Sequence, residues 1–217
     1  MLVKITEDGS HTIYIPALDE HYHSIHGAIR ESGLVYIDYG YKSCVTNPVR
    51  IFEAGFGTGL NALLTAIESI RDERRIFYTS MEKYPLPDEI TGILNYGELT
   101  APYGAELYKA IHNAKWNVPE KITQNFTLAK IKGDIISDPI AGEYDLVYFD
   151  AFGPDKQSDI WNMNVFEKIS RATVRNGILV TYSAKGEVKR NLRSCGFKVN
   201  LLPGPPGKRH VIKAIKT

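Results

Sequence analysis

Cysteine is nearly absent from this chain. Cys44 and Cys195 are the only two in 217 residues, with no C-x-x-C pair and no zinc-type spacing. A disulfide framework and a cysteine zinc site are both excluded, and two reduced, buried thiols are expected. His21, His23 and His26 fall within six residues, but no cysteine or well-spaced acid completes a ligand set, so no metal is expected. No apolar run approaches the roughly 20 residues needed to span a bilayer. Met1-Leu2-Val3-Lys4 leads into a strand-like segment and not a signal-peptide core, so a cytoplasmic protein with no membrane association is expected. Internal repeats and low-complexity segments are missing too. Net charge is almost lacking at +1, yet the charges are segregated: residues 171–217 hold 11 Lys and Arg against the single acid Glu187, while the other 24 acids lie before them. A basic face beside an acidic body suits a polyanionic partner better than a small neutral metabolite.

What is present is a glycine loop. Residues 49–61 read V-R-I-F-E-A-G-F-G-T-G-L-N, an apolar run closed by alternating glycines and followed by a helix-forming stretch. Glycines there let the backbone turn sharply and approach a ligand, with the free N–H groups of the next helix as donors. Dinucleotide binding wants G-x-G-x-x-G, whereas Glu53-x-Gly55-x-Gly57-x-Gly59 puts Leu60 in the place of a third small residue. The spacing is similar to motif I of the S-adenosylmethionine (SAM) methyltransferases; a nicotinamide or flavin nucleotide and a purely structural turn are the alternatives. A second acid, Glu82, closes the β-rich run 75–82, where a carboxylate can accept both ribose hydroxyls. Gly133-Asp134 follows the alternating run 126–132. Three such loops, each closing an expected strand, would gather at the carboxyl edge of one open sheet.

The element pattern agrees. Residues 2–15 alternate around Asp8-Gly9 and read as a hairpin ended by Pro16, residues 20–32 as a loop entering a short helix, and 34–39 as another strand. Strand and helix patterns then alternate: strands at 49–54, 75–81, 127–132, 144–149 and 178–182, and helices at 60–70, 164–174 and 187–195. An insertion at about 83–125 holds two expected helices, 86–95 and 105–115. The chain finishes with strands 197–202 and 210–215 about the turn Pro203-Gly204-Pro205-Pro206-Gly207, which must pair antiparallel. The expected fold is α/β, Rossmann-like, a mostly parallel sheet with a C-terminal antiparallel hairpin. Residues 1–47 form an N-terminal β-rich extension over the cofactor site, and residues 48–217 the main domain.

Chemistry concentrates in residues 144–161, Y-D-L-V-Y-F-D-A-F-G-P-D-K-Q-S-D-I-W, where Asp150 closes an apolar strand. An aliphatic amine has a pKa near that of lysine, about 10. A carboxylate that orients the amine and takes or relays its proton serves N-methylation, with in-line approach supplying much of the remaining acceleration. Asp150 is the candidate for that role, and Phe152, Pro154 and Trp161 are candidates for an apolar wall. A buried aspartate capping the next turn is the alternative reading.

Taken together, E-A-G-F-G-T-G-L-N, S-M-E-K-Y-P, K-G-D, L-V-Y-F-D-A-F-G-P-D-K-Q-S-D-I-W and G-K-R-H resemble the MnmC/MnmD family over most of the chain. These SAM-dependent methyltransferases complete 5-methylaminomethyl-2-thiouridine at the tRNA wobble position. The resemblance implies SAM held by Tyr22, Glu53, Gly55, Phe56, Gly57, Gly59, Glu82 and Asp134, with Asp150 beside the transferred methyl. It implies a tRNA anticodon loop as partner, and a separate enzyme to supply the aminomethyluridine, because this chain ends too early to hold the oxidase fused to some family members. A uridine in a single-stranded loop can be splayed out and stacked. Lys185, Lys189, Arg190, Lys208 and Arg209, with Arg193 and Lys213, are the candidates for phosphate contacts. A small-amine methyl- or aminopropyltransferase, or a non-catalytic RNA-binding protein of the same fold, are the rival readings. The residue after Asp150 and the proline-rich final turn depart from the family pattern.

Overall fold

A computed structural model describes residues 1–217. The chain opens with a three-stranded antiparallel sheet, β1 (Leu2–Ile5), β2 (His11–Ile15) and β3 (Glu20–His21). The β1–β2 turn passes through Gly9 at φ +83°, a left-handed conformation that glycine adopts without strain. Helix α1 (Ala28–Ser32) runs directly into a π-helical turn at Gly33–Asp38, so the strand expected over 34–39 is wrong. Val35, Tyr36 and Ile37 are all buried. A strand would turn Tyr36 away from its two neighbours, whereas the wide turn, closed by the Tyr39 N–H to the Leu34 carbonyl at 3.1 Å, carries all three inward. A 3-10 turn at Tyr41–Ser43 completes the extension.

The main sheet has eight strands: β4 (Val49–Ala54), β5 (Ile76–Glu82), β6 (Pro119–Lys121), β7 (Phe126–Lys132), β8 (Tyr144–Phe149), β9 (Thr173–Thr181), β10 (Phe197–Pro203) and β11 (His210–Lys216). Their order is β10-β11-β9-β8-β4-β5-β7-β6. The five strands β9-β8-β4-β5-β7 are parallel, and β6, β10 and β11 run antiparallel to their neighbours. Every residue of β8 is buried, as is all of β4 except Arg50, which is what central strands covered on both faces require. The sequence pattern gave no hint of β6, an edge strand of three residues, and β9 starts at Thr173, before the apolar run that marks it.

Helix α2 (Leu60–Arg71) packs on one face of the sheet with the extension. The other face carries α6 (Met163–Ala172), which begins where the Asn162 side chain accepts from the Val165 N–H, and α7 (Gly186–Ser194). The insertion forms α3 (Asp88–Thr91), α4 (Tyr96–Leu99) and α5 (Gly104–Asn113), so the helix expected over 86–95 is only one turn long. It buttresses the extension: the Tyr96 hydroxyl donates to the His11 carbonyl at 2.6 Å, and the Asn95 Oδ1 accepts from the His11 N–H at 2.8 Å. Cys44 and Cys195 are both buried free thiols. No helix is long and apolar enough to cross a membrane.

Candidate active site

The sheet's order reverses at β4, whose neighbours β5 and β8 begin crossovers in opposite directions. The crevice at the carboxyl ends of these strands is where open α/β sheets bind ligands. It holds a cavity of about 710 Å³. The loop after β4 bends through three left-handed glycines, Gly55 (φ +93°), Gly57 (φ +50°) and Gly59 (φ +75°), the last being the residue before α2. At Gly55 a Cβ would lie 2.7 Å from the Asp150 carbonyl oxygen, so only glycine lets the ends of β4 and β8 come this close. At Gly57 it would lie 3.1 Å from the Tyr22 ring.

The loop is pinned from behind. The Tyr108 hydroxyl and His112 Nε2–H, both from α5, donate to the Thr58 carbonyl at 3.0 and 3.1 Å, and His23 Nε2 meets the Thr58 hydroxyl at 2.7 Å. Burial lowers both histidines to about pKa 4, so they are neutral at physiological pH. Neither the insertion nor His23 showed this role in the sequence.

Of the residues expected at the cofactor, Tyr22, Gly55, Phe56, Gly57, Glu82 and Asp134 all line the cavity. Glu82, at the end of β5, accepts the Gly57 N–H at 3.1 Å and the Tyr84 N–H at 2.8 Å, leaving lone pairs on both oxygens. Asp134 pairs with Lys83 at 2.8 Å, and that contact lowers its pKa. Tyr22 stands edge-on to Phe152, ring centroids 4.8 Å apart. Two residues do not line it. Gly59 backs onto His112. Glu53 is fully buried behind the wall, its carboxylate taken by Ser80 Oγ at 2.7 Å and Asn61 Nδ2 at 3.0 Å; burial raises its pKa to about 8.

Asp150 does line the cavity. Its Oδ1 accepts the Tyr36 hydroxyl at 2.6 Å and its Oδ2 accepts Asn61 Nδ2 at 2.7 Å. Burial pushes its pKa up to about 6, while those two hydrogen bonds hold it down. Tyr36 comes from the π turn and Asn61 from the first turn of α2. The only sequence signal for Asn61 is a lone polar side chain inside L-N-A-L, and for Tyr36 there was none once 34–39 read as a strand.

The expected apolar wall is only partly there. Phe152 lines the cavity, but Pro154 does not, and Trp161 is a core residue. Trp161 packs against Phe149 at 4.7 Å between centroids, and its indole N–H donates to the Phe152 carbonyl at 2.7 Å, so it shapes the loop from beneath. Its size and apolar ring suit a core as well as a wall. Among the basic candidates, Lys208 alone reaches the cavity, paired with the buried Glu31 and lying 5.0 Å above the Tyr182 ring. Lys185 pairs with Asp155 in the loop after β8. The half-buried Lys189 and the exposed Arg190, on α7 beside the edge strand β10, lie outside the lining, as does the exposed Arg209.

Such a site sorts the chain away from nucleotide dehydrogenases, whose sheets usually lack the β10–β11 hairpin and whose loops space their glycines differently, and into the class of SAM-dependent methyltransferases. Comparison with known proteins makes the placement specific. A family model described as S-adenosyl-L-methionine-dependent methyltransferase matches residues 103–217, and the chain belongs to that family. The tRNA 5-methylaminomethyl-2-thiouridine biosynthesis bifunctional protein MnmC of Burkholderia multivorans is 28% identical over 95% of this chain and 33% of its own length. The protein of the same name from Campylobacter hominis is 30% identical over 77% of this chain and 26% of its own. The chain thus spans about a third of the length of the curated relatives it matches. Among solved structures, MnmC2 from Aquifex aeolicus superposes with a TM-score of 0.79 at 28% identity, covering 98% of this chain and 68% of the other.

Proposed function

We propose that this protein methylates a primary amine on RNA, converting 5-aminomethyluridine, with or without 2-thiolation, to the 5-methylaminomethyl form at the tRNA wobble position. The observation that carries this reading is a carboxylate at the cavity floor with a raised pKa, in a chain whose relatives are named for that modified nucleoside. The cavity residues fit the family's cofactor: two left-handed glycines bring backbone close, Glu82 keeps free acceptor capacity, and Tyr22 covers Gly57. When bound, SAM supplies an electrophilic methyl group and leaves as a neutral thioether.

The protein's own work is to hold the amine and its proton. Tyr36 and Asn61 leave a lone pair on each Asp150 oxygen, and an ammonium donates there. Proton transfer from an amine of pKa about 10 to a carboxylate at its ordinary value is uphill by about 8 kcal/mol. Raising Asp150 from 3.8 to about 6 removes ~3 kcal/mol of that gap. With its lone pair freed in this way, the nitrogen could accept the methyl group that bound SAM would supply, and Asp150 passes the proton on to water. Phe152, Tyr182 and the Glu31–Lys208 pair border the same cavity and form the base's surroundings in this reading. Glu53 acts from behind the wall, and residues 1–47 serve as the cover. Lys189, Arg190 and Arg209 contact phosphates outside the pocket. A separate enzyme supplies the aminomethyl group.

The test is transfer of labelled methyl from SAM to bulk tRNA from cells lacking this gene, beside Asp150→Ala, with nucleoside analysis of the product. Label in methylaminomethyluridine only with the intact protein supports the reading. Label in small amines and none in RNA overturns it.

A further inference from the structure

We propose that Asn61 is a positioning residue for Asp150: its side-chain amide gives one hydrogen to Asp150 and the other to Glu53, and with Tyr36 on the opposite oxygen it fixes the carboxylate toward the cavity. The inference rests on the reading of Asp150 as the group beside the reacting nitrogen. Its geometry does not.

The amide's orientation is forced. Nδ2 lies 2.7 Å from Asp150 Oδ2 and 3.0 Å from Glu53 Oε1, and the opposite rotamer would set a carbonyl oxygen against two acids. Asn61 is 3% exposed, and its Oδ1 is buried without a partner. The two acid contacts are what hold it. Without this amide, Asp150 would keep Tyr36 as its one side-chain donor and Glu53 would keep Ser80.

The hydrogen-bonded chain is continuous from the extension to β5: Tyr36 to Asp150, Asp150 to Asn61, Asn61 to Glu53, Glu53 to Ser80. Tyr36 is 1% exposed and is delivered by the π turn. The charged and titratable groups around Asp150 are Glu53 on β4, Tyr78 on β5, Glu31 on α1, Lys208 on the β10–β11 turn, Tyr36 and Tyr182. Of these, Tyr36 alone donates directly to the carboxylate, so Asn61 and Tyr36 share its orientation.

The test uses the full chain as wild type, Asn61→Ala, Asn61→Asp and Tyr36→Phe. Carbon-13 carboxyl NMR follows the titration of Asp150, assigned with Asp150→Asn; calorimetry gives SAM affinity, and single-turnover transfer gives the rate. Asn61→Ala and Tyr36→Phe should each move the Asp150 titration to higher pH. Each should also slow transfer about tenfold or more, with SAM affinity changed by less than about threefold, on the order of 0.6 kcal/mol or below. Asn61→Asp keeps the volume and loses the donor, so it should be at least as slow as Asn61→Ala. An Asp150 titration unmoved by both Asn61→Ala and Tyr36→Phe, or an Asn61→Asp protein as fast as wild type, overturns the proposal. Tyr36→Phe keeps the ring and therefore the fold. The titration needs no acceptor, so it decides this point even if the protein transfers nothing to tRNA.

Discussion

Replacing Asp150 by Asn should slow methyl transfer severely and, at alkaline pH, leave the protein no less stable. Asp150 is raised from 3.8 to about 6 chiefly by burial. At ~1.4 kcal/mol per unit, keeping it ionised in the fold costs ~3 kcal/mol. The sign follows from the direction of the shift: the folded state binds the proton more tightly, so the cost is absent below about pH 4 and complete above about pH 6. The Asn substitution removes this cost. It also turns an NH₂ group either toward Asn61 Nδ2 or toward the Tyr36 hydroxyl, whose O–H must then turn to the Phe149 carbonyl 3.5 Å away, weakening or losing one donor's bond at about 1–3 kcal/mol at every pH. The variant should therefore be about 1–3 kcal/mol less stable than wild type near pH 4, and equal or up to ~2 kcal/mol more stable near pH 8. Urea denaturation at the two pH values reads the difference; the Asp150 charge also helps to raise Glu53, so its loss lowers the Glu53 pKa and moves the balance further toward the variant near pH 8. Methyl transfer should fall by about 10²–10⁴. A stability difference that is the same at both pH values refutes the electrostatic account of Asp150.

Gly55→Ala places a methyl 2.7 Å from the Asp150 carbonyl at φ +93° and should cost about 1–3 kcal/mol by urea denaturation; a cost below ~0.5 kcal/mol would mean the ends of β4 and β8 are free to part. A double-mutant cycle between Lys208→Met and Glu31→Gln should give a coupling of about 1–3 kcal/mol, and a coupling near zero would show that the pair does not tie the β10–β11 turn to α1. The triple variant Lys189→Ala, Arg190→Ala, Arg209→Ala should bind tRNA with a log–log salt slope shallower by about 2, without altering SAM affinity. An unchanged slope would place the RNA on another face.

The sheet was legible because its central strands are mostly apolar and end in glycines or acids. β4 runs over the expected residues 49–54 and β8 over 144–149. The π turn was not legible, since L-V-Y-I-D-Y reads as strand by composition and only the tertiary demand to bury Val35, Tyr36 and Ile37 together decides otherwise. At the site, residue type was legible and depth was not. Glu53 and Asp150 both close strands, yet one sits behind the wall and the other in it, separated by a single asparagine whose neighbours in sequence are all apolar. Trp161 was misplaced for the same reason, because an aromatic beside a reactive segment serves either as wall or as foundation. Lys208 was one of several basic residues near the C-terminus, and only the fold of the proline-rich turn shows that it alone enters the cavity.

The central claim is that the acceptor is the aminomethyl nitrogen of a uridine in a tRNA loop. Two synthetic anticodon stem-loops, identical except that one carries 5-aminomethyluridine and the other unmodified uridine at the wobble position, isolate that nitrogen. Mass analysis of the nucleosides after single turnover with carbon-13-methyl SAM should find the label on the aminomethyluridine and none on the unmodified loop. Equal labelling of both loops, or labelling of neither while a free amine is methylated, would contradict the account.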